Sequence, residues 1–189
     1  MLDCVDPFAN GAIERGARFY DGCRAELSRR WASNGKVAGV IGCNPSDANG
    51  DRDDPTSGWL TKWFRDNGFA AYRLWNLYPF VTSSPRECRR MADWENNGPD
   101  WWARDMLHKN LSFVEKASRE VDQVFVCFGA IAWDADWTQH FIEEIQQGVM
   151  PCPALWCWGF NNDGSPKHPM ARGKHRIPNG QKALLWRAA

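Results

Sequence analysis

The stretch Val37-Ala38-Gly39-Val40-Ile41-Gly42-Cys43-Asn44-Pro45-Ser46 sets the reading of the whole chain. Its first six residues are apolar, partly β-branched, and end in glycine before a proline, which is the pattern of a strand buried on both faces. Such strands belong to parallel sheets, whose connections are helices laid over the faces. Working outward, residues 70–76, 123–128 and 154–158 repeat the pattern. Between them, 56–67 sets Trp59, Leu60, Trp63 and Phe64 at helical spacing and stops at Gly68. Residues 100–118 carry Trp101, Trp102, Met106, Leu107, Leu111 and Val114 on one side, and a further helix runs over 129–147. Upstream, 11–31 spaces Ile13, Ala17, Phe19, Tyr20, Leu27 and Trp31 among Arg and Glu, and reads as an amphipathic helix. Residues 77–99 and 159–173 read as irregular connections. The expected architecture is one α/β domain over 1–189, with three layers, α/β/α, around a central, mainly parallel four-stranded sheet. Ligands of such sheets sit beyond the carboxyl ends of the strands.

Charge excludes little and composition rather more. Lys and Arg total 23 against 23 Asp and Glu, so a nucleic-acid partner would have to be met by local clustering of charge. No apolar run approaches the ~18 residues of a membrane span, and the amino terminus lacks a basic start followed by an apolar stretch, so a cytoplasmic location is expected. The 7 cysteines are odd in number and several lie in apolar segments, as suits a reducing compartment. With no CxxC, no HExxH and no Cys/His zinc spacing, neither metal nor cofactor is expected. The 12 tryptophans are core candidates, with a minority near loops able to stack on flat rings.

Four segments carry chemistry. In Gly42-Cys43-Asn44-Pro45-Ser46 the glycine lets the chain bend, the proline stiffens it, and Asn44 and Ser46 offer polar groups; taken alone, it reads better as an ordinary Asx turn. The loop continues through Asp47, Asp51, Asp53 and Asp54, carboxylates that are solvated, cap the next helix, or, in a dry cleft, hold or deprotonate a water. Asn76 closes its strand among apolar neighbours, where an unsatisfied amide would cost ~1–3 kcal/mol. It either serves the backbone or reads the edge of a heterocycle. Gly164-Ser165-Pro166-Lys167-His168-Pro169 holds a histidine between prolines, followed by Arg172, Lys174, His175 and Arg176; this is a solvated tail or a surface for an anionic backbone.

In their order, GCNPS (42–46), WNLYPFVT (75–82), VFVCFGAIA (124–132) and KHPM (167–170) resemble the uracil-DNA glycosylase superfamily, with its GxNP loop, Asn-ended second strand, GA-like turn and late HP loop. The chain resembles still more closely an uncharacterised family marked by NPS, DDPT (here 53–56), a strand ending in NL (76–77) and GxPxHP (164–169). Within that neighbourhood it is similar to bacterial anti-phage glycosylases that remove glucosylated hydroxymethylcytosine from phage DNA. The resemblance implies a uracil-DNA glycosylase-like fold and a monofunctional DNA N-glycosylase that acts, without cofactor, on a flipped and modified pyrimidine of double-stranded DNA. A monomer with no membrane contact is expected. Carried over by position, Asn44 would orient the attacking water and Asn76 would read the base, with Cys43, Pro45, Ser46 and Tyr78 around it. His168 would support the departing base or grip a phosphate, and Lys167, Arg172, Lys174, His175 and Arg176 would meet DNA. Asn44 stands where other branches place Asp, and an amide cannot act as a base, so Asp53 and Asp54 become candidates for that role. KHPM also departs from the HPS of many relatives. Two alternatives stand beside this reading: a non-catalytic nucleic-acid or nucleotide binder of the same fold, and a hydrolase of free modified nucleosides.

Overall fold

Residues 11–31 form a β-hairpin rather than a helix. Strands β1 (Glu14–Tyr20) and β2 (Cys23–Arg30) pair antiparallel, with Tyr20 opposite Cys23. The connecting Asp21 and Gly22 have φ of 46° and 78°. Positive φ at both central residues matches the strand twist of a two-residue hairpin, for which Asp-Gly is a strong local signal. That signal outweighs the loose helical spacing of the apolar residues. In a computed structural model, which describes residues 7–8, 10–93, 101–130, 134–147 and 152–189, the chain continues as β3 (Lys36–Gly42), α1 (Pro55–Asp66), β4 (Phe69–Asn76), α2 (Pro85–Ala92), α3 (Trp101–Ser118), β5 (Gln123–Val126), α4 (Ala135–Gln147), β6 (Leu155–Cys157) and β7 (Leu184–Arg187). The sequence places the starts of two helices at residues 100 and 129–132; of these, residues 100, 131 and 132 lie outside the described residues.

The sheet has seven strands in the order β1-β2-β4-β3-β5-β6-β7 and is mixed. The pairings β4–β3, β3–β5 and β5–β6 are parallel, whereas β1–β2, β2–β4 and β6–β7 are antiparallel. This corrects the expected four-stranded, mainly parallel, uracil-DNA glycosylase-like sheet. The hairpin adds two antiparallel strands at one edge. At the other edge β7, whose Leu184 and Leu185 are exposed, lacks the buried apolar run that marks an interior strand.

Alternation along the inner strands divides the core. Ile41, Trp75, Val124 and Val126 face the side covered by α2, α3 and α4, while Ala38, Val40, Tyr72, Leu74 and Phe125 face α1. On the α1 side, Trp63, Phe64, Phe125 and Trp158 meet with ring centroids 5.1–5.9 Å apart. The tryptophans are thus largely committed to packing. Gly39 is dictated by Trp75, because a Cβ there would fall 2.5 Å from the indole. The indole N–H donates to Glu26 at 2.9 Å.

The acidic loop is tied to the hairpin by Arg29, which is fully buried. Its Nε donates to Asp53 at 2.7 Å, and its Nη2 donates to the carbonyls of Asn49 and Arg52 at 2.9 and 3.1 Å. Held there, the loop delivers Asp54 as the N-cap of α1. The Asp54 Oδ1 accepts from the Ser57 amide at 2.6 Å, the Ser57 hydroxyl completes a capping box, and Pro55 opens the helix. Among the described residues, no helix is long and apolar enough to cross a membrane.

Candidate functional site

Beyond the carboxyl ends of β3, β4 and β5, hydrogen bonding continues past the strands. The amides of Leu77, Tyr78 and Thr82 donate to the carbonyls of Gly42, Cys43 and Pro45 at 3.0, 3.0 and 2.9 Å. The loop 43–46 is therefore laced to 77–82. Asn44 is fixed by this lacing: its Nδ2 donates to Thr82 O at 2.6 Å and to Pro45 O at 3.2 Å. The Asn44 Oδ1 is left as the free acceptor of the amide among the described residues.

Here the structure opens a cavity of about 320 Å³, at the lower end of the ~300–1,000 Å³ usual for ligand pockets. Its walls bring together Cys43, Asn44 and Ser46 from the first loop, Asp54 from the cap of α1, Asn76 from the end of β4, and His168 from the late loop. Cys127, just past the end of β5, and Phe128 and Ala130 of the FGA turn also line it. Gly129, at φ 77°, bends the chain against the late loop, where a Cβ would meet that of His168 at 3.4 Å.

The electrostatics of the walls are specific. Asn76 is 3 % exposed and its Nδ2 has no hydrogen-bond partner. Gly42 makes room for this amide, since a Cβ at position 42 would lie 2.8 Å from Asn76 Oδ1. Burial opposes ionisation of Asp54, but hydrogen bonds from Ser46 and Ser57 and the charge of Arg24 outweigh it, so its pKa lies below the ordinary carboxylate value. Asp54 is therefore an anion at neutral pH and a weak base. Desolvation lowers the pKa of His168, with the charge of Asp54 opposing in part, which leaves the imidazole neutral. Its Nδ1 accepts from the Met170 amide at 3.1 Å, so the proton of the neutral ring sits on Nε2 as a donor. Burial pushes the Cys43 thiol up to about 12, which rules it out as a thiolate nucleophile at neutral pH.

Other sequence-predicted residues fall elsewhere. Asp53 does not line the cavity; it is spent on Arg29 and on Arg15, whose Nη2 lies 3.1 Å away. Pro45 and Tyr78 are buried behind the wall. Arg172 and His175 line a second depression of about 420 Å³ that shares Ala130 and His168 with the cavity. There the His175 Nδ1–H donates to Asn161 Oδ1 at 3.2 Å. Lys167 reaches the Arg176 carbonyl, and Lys174 and Arg176 are exposed nearby. Sequence reasoning missed Phe128 and Arg24 on the cavity wall. The Asp21-Gly22 turn, read as a hairpin, would have placed Arg24 on a strand beside the site. Among the described residues, no group of three or more His, Cys, Asp or Glu is placed to hold a metal ion, and six of the cysteines are seen to be free.

The cavity lies at the carboxyl ends of parallel strands and is walled by two amides, a neutral histidine and an ionised carboxylate. The chain belongs to the family described as protein of unknown function DUF1643, whose model matches residues 24–170. That span runs from Arg24 to just beyond His168 and so contains every cavity residue named above. No curated protein and no solved structure matches the chain.

Proposed function

We propose that the protein is a monofunctional DNA N-glycosylase, which hydrolyses the bond between C1′ and an extruded base and leaves an abasic site. The observation that carries this reading is the meeting of Asn44, Asp54, Asn76 and His168, from four separate chain segments, around one cavity. Extrusion of the base costs a few kcal/mol of stacking, which contacts within the cavity offset. The Asn76 Nδ2 donates to an acceptor on the base edge, gaining the partner it lacks in the free protein. Asn44 Oδ1 holds the attacking water. As the C1′–N bond breaks, its electron pair leaves with the base, and the sugar gains oxocarbenium character. The carboxylate of Asp54 stabilises that positive charge by its own charge. Water adds its oxygen to C1′, its proton passes to solvent, and the base takes up a proton after departure. The Nε2–H of His168 donates to the departing base. The depression at Arg172 and His175, with Lys167, Lys174 and Arg176, would receive the flanking phosphates.

In its finer form the proposal names the substrate as a modified pyrimidine, glucosylated 5-hydroxymethylcytosine of phage DNA, removed in anti-phage defence. The test is incubation with duplexes carrying uracil, 5-hydroxymethylcytosine or its glucosylated form, followed by alkali. Strand breaks at the modified position are expected. Intact strands from every duplex, with tight DNA binding, would make the protein a non-catalytic binder. Release of base from free nucleosides alone would make it a nucleoside hydrolase.

A further inference from the structure

Arg24 is 2 % exposed, yet it lines the cavity. Of its five N–H groups, one Nη1–H donates to the Ala48 carbonyl at 2.6 Å, and Nε has no partner. Among the described residues it forms no ion pair. Asp54 is the carboxylate whose charge acts on it most, and that carboxylate is already engaged by Ser46 and by the cap of α1. Arg29 adds repulsion. Desolvation lowers the Arg24 pKa to about 10, so the guanidinium stays charged at neutral pH. A buried cation whose nearest carboxylate is already committed to other donors is costly to keep. Cavities that retain one commonly use it on a ligand.

Two other features point the same way. The Asn76 Nδ2 is a second buried donor without an acceptor on the same wall, and the His168 Nε2–H is a third donor there. Three residues with N–H donors, one of them cationic, line a space whose sole lining carboxylate is occupied. A charge buried this deep is also poorly placed for a backbone phosphate, which stays at the mouth when a base enters.

We infer that Arg24, with Asn76, forms an oxyanion subsite of the cavity, which takes an anionic oxygen of the ligand. Within the glycosylase reading, on which this assignment of the ligand rests, the oxygen belongs to the base. The electron pair released from the C1′–N bond delocalises onto a ring carbonyl, and Arg24 meets the charge as it forms. The same subsite chemistry would hold the phosphate of a free nucleotide, and the two sources are separable.

The experiment uses the full chain and three probes in calorimetric titrations at pH 7: uracil, 5-carboxyuracil as its anionic analogue, and inorganic phosphate. The wild type should bind 5-carboxyuracil at least about tenfold more tightly than uracil, the scale of one charge-assisted hydrogen bond. Arg24→Gln should erase that ratio and Arg24→Lys should restore part of it. A shift of the Arg24 Nε–H resonance on titration reads the same contact in the wild type, even if the variants fold poorly. Phosphate bound through Arg24 in place of 5-carboxyuracil assigns the subsite to a nucleotide phosphate. Equal affinities in wild type and Arg24→Gln, an unmoved Nε–H resonance, or no binding of either anion would overturn the inference. Abasic sites formed without Arg24-dependent anion binding would leave the glycosylase reading standing alone. Anion binding through Arg24 without abasic sites would do the reverse.

Discussion

Replacing Asn76 with alanine should do opposite things to stability and function. In the free protein Asn76 Nδ2 is buried without a partner, and an unsatisfied donor of this kind costs ~1–3 kcal/mol of folding free energy. Truncation removes that penalty. It removes little packing, because the amide borders an existing space of about 320 Å³. The net change should be a stability equal to wild type or higher by up to about 1 kcal/mol, which is ~2–4 °C in Tm for a chain of this size. Function should move the other way: loss of the hydrogen bond to the base, worth ~1–3 kcal/mol, lowers kcat/KM about 5- to 150-fold. Asn110→Ala is the matched control. The Asn110 Nδ2 donates to the Asn76 and Leu77 carbonyls at 2.8 and 3.4 Å, so its loss should lower Tm. Differential scanning calorimetry with base-release kinetics, or uracil binding in place of kinetics, reads both variants. A fall in Tm for Asn76→Ala with ligand binding unchanged would refute the reasoning, since the amide would then be a structural member of the core.

Acid should destabilise the fold in two stages. The folded His168 pKa lies below the ordinary histidine value of 6.5, so the unfolded chain takes up that proton first, and stability present above pH 6.5 is lost as pH falls below it. Asp53 and Asp54, lowered from 3.8, add stability above that pH that is lost below it. Urea midpoints across pH should show both stages, and His168→Gln should lack the first. Arg29→Met leaves Asp53 to Arg15 and strands the carbonyls of Asn49 and Arg52, and should cost about 1–3 kcal/mol in urea unfolding; unchanged stability would mean that the acidic loop is held by something else. Gly39→Ala drives a methyl into the Trp75 indole and should cost ~1–3 kcal/mol, with a shift in tryptophan fluorescence. Asp54→Ala should lose about 1 kcal/mol of helix capping that Asp54→Asn largely keeps, whereas both should lose catalytic rate to a similar extent, since neither carries the charge.

Inner strands and amphipathic helices were legible in the sequence because their apolar runs and periods are local. Residues 37–42, 70–76 and 123–128 fall on β3, β4 and β5, and 56–67 falls on α1. The hairpin was misread because apolar positions in 11–31 are few enough to fit two periods, and the turn chemistry of Asp21-Gly22 decides between them. Strand β7 was not legible at all: an edge strand with exposed leucines carries no burial pattern of its own and exists through its pairing with β6. Short α2, with Arg86, Arg89 and Arg90 exposed, shows little apolar face.

What the sequence determined by itself about this protein is its set of polar residues at chain bends: Asn44 after one strand, Asn76 at the end of another, His168 between prolines. Spacing and residue type are enough to mark them. Which of them share a space was decided by tertiary structure alone. Asp53 and Asp54 are neighbours of one chemistry, yet Arg29 on the hairpin draws the first away while the start of α1 turns the second into the cavity. Arg24 likewise looks like any charged residue in the sequence. Only the strand that buries it beside an occupied carboxylate leaves it a cation with an unused N–H donor.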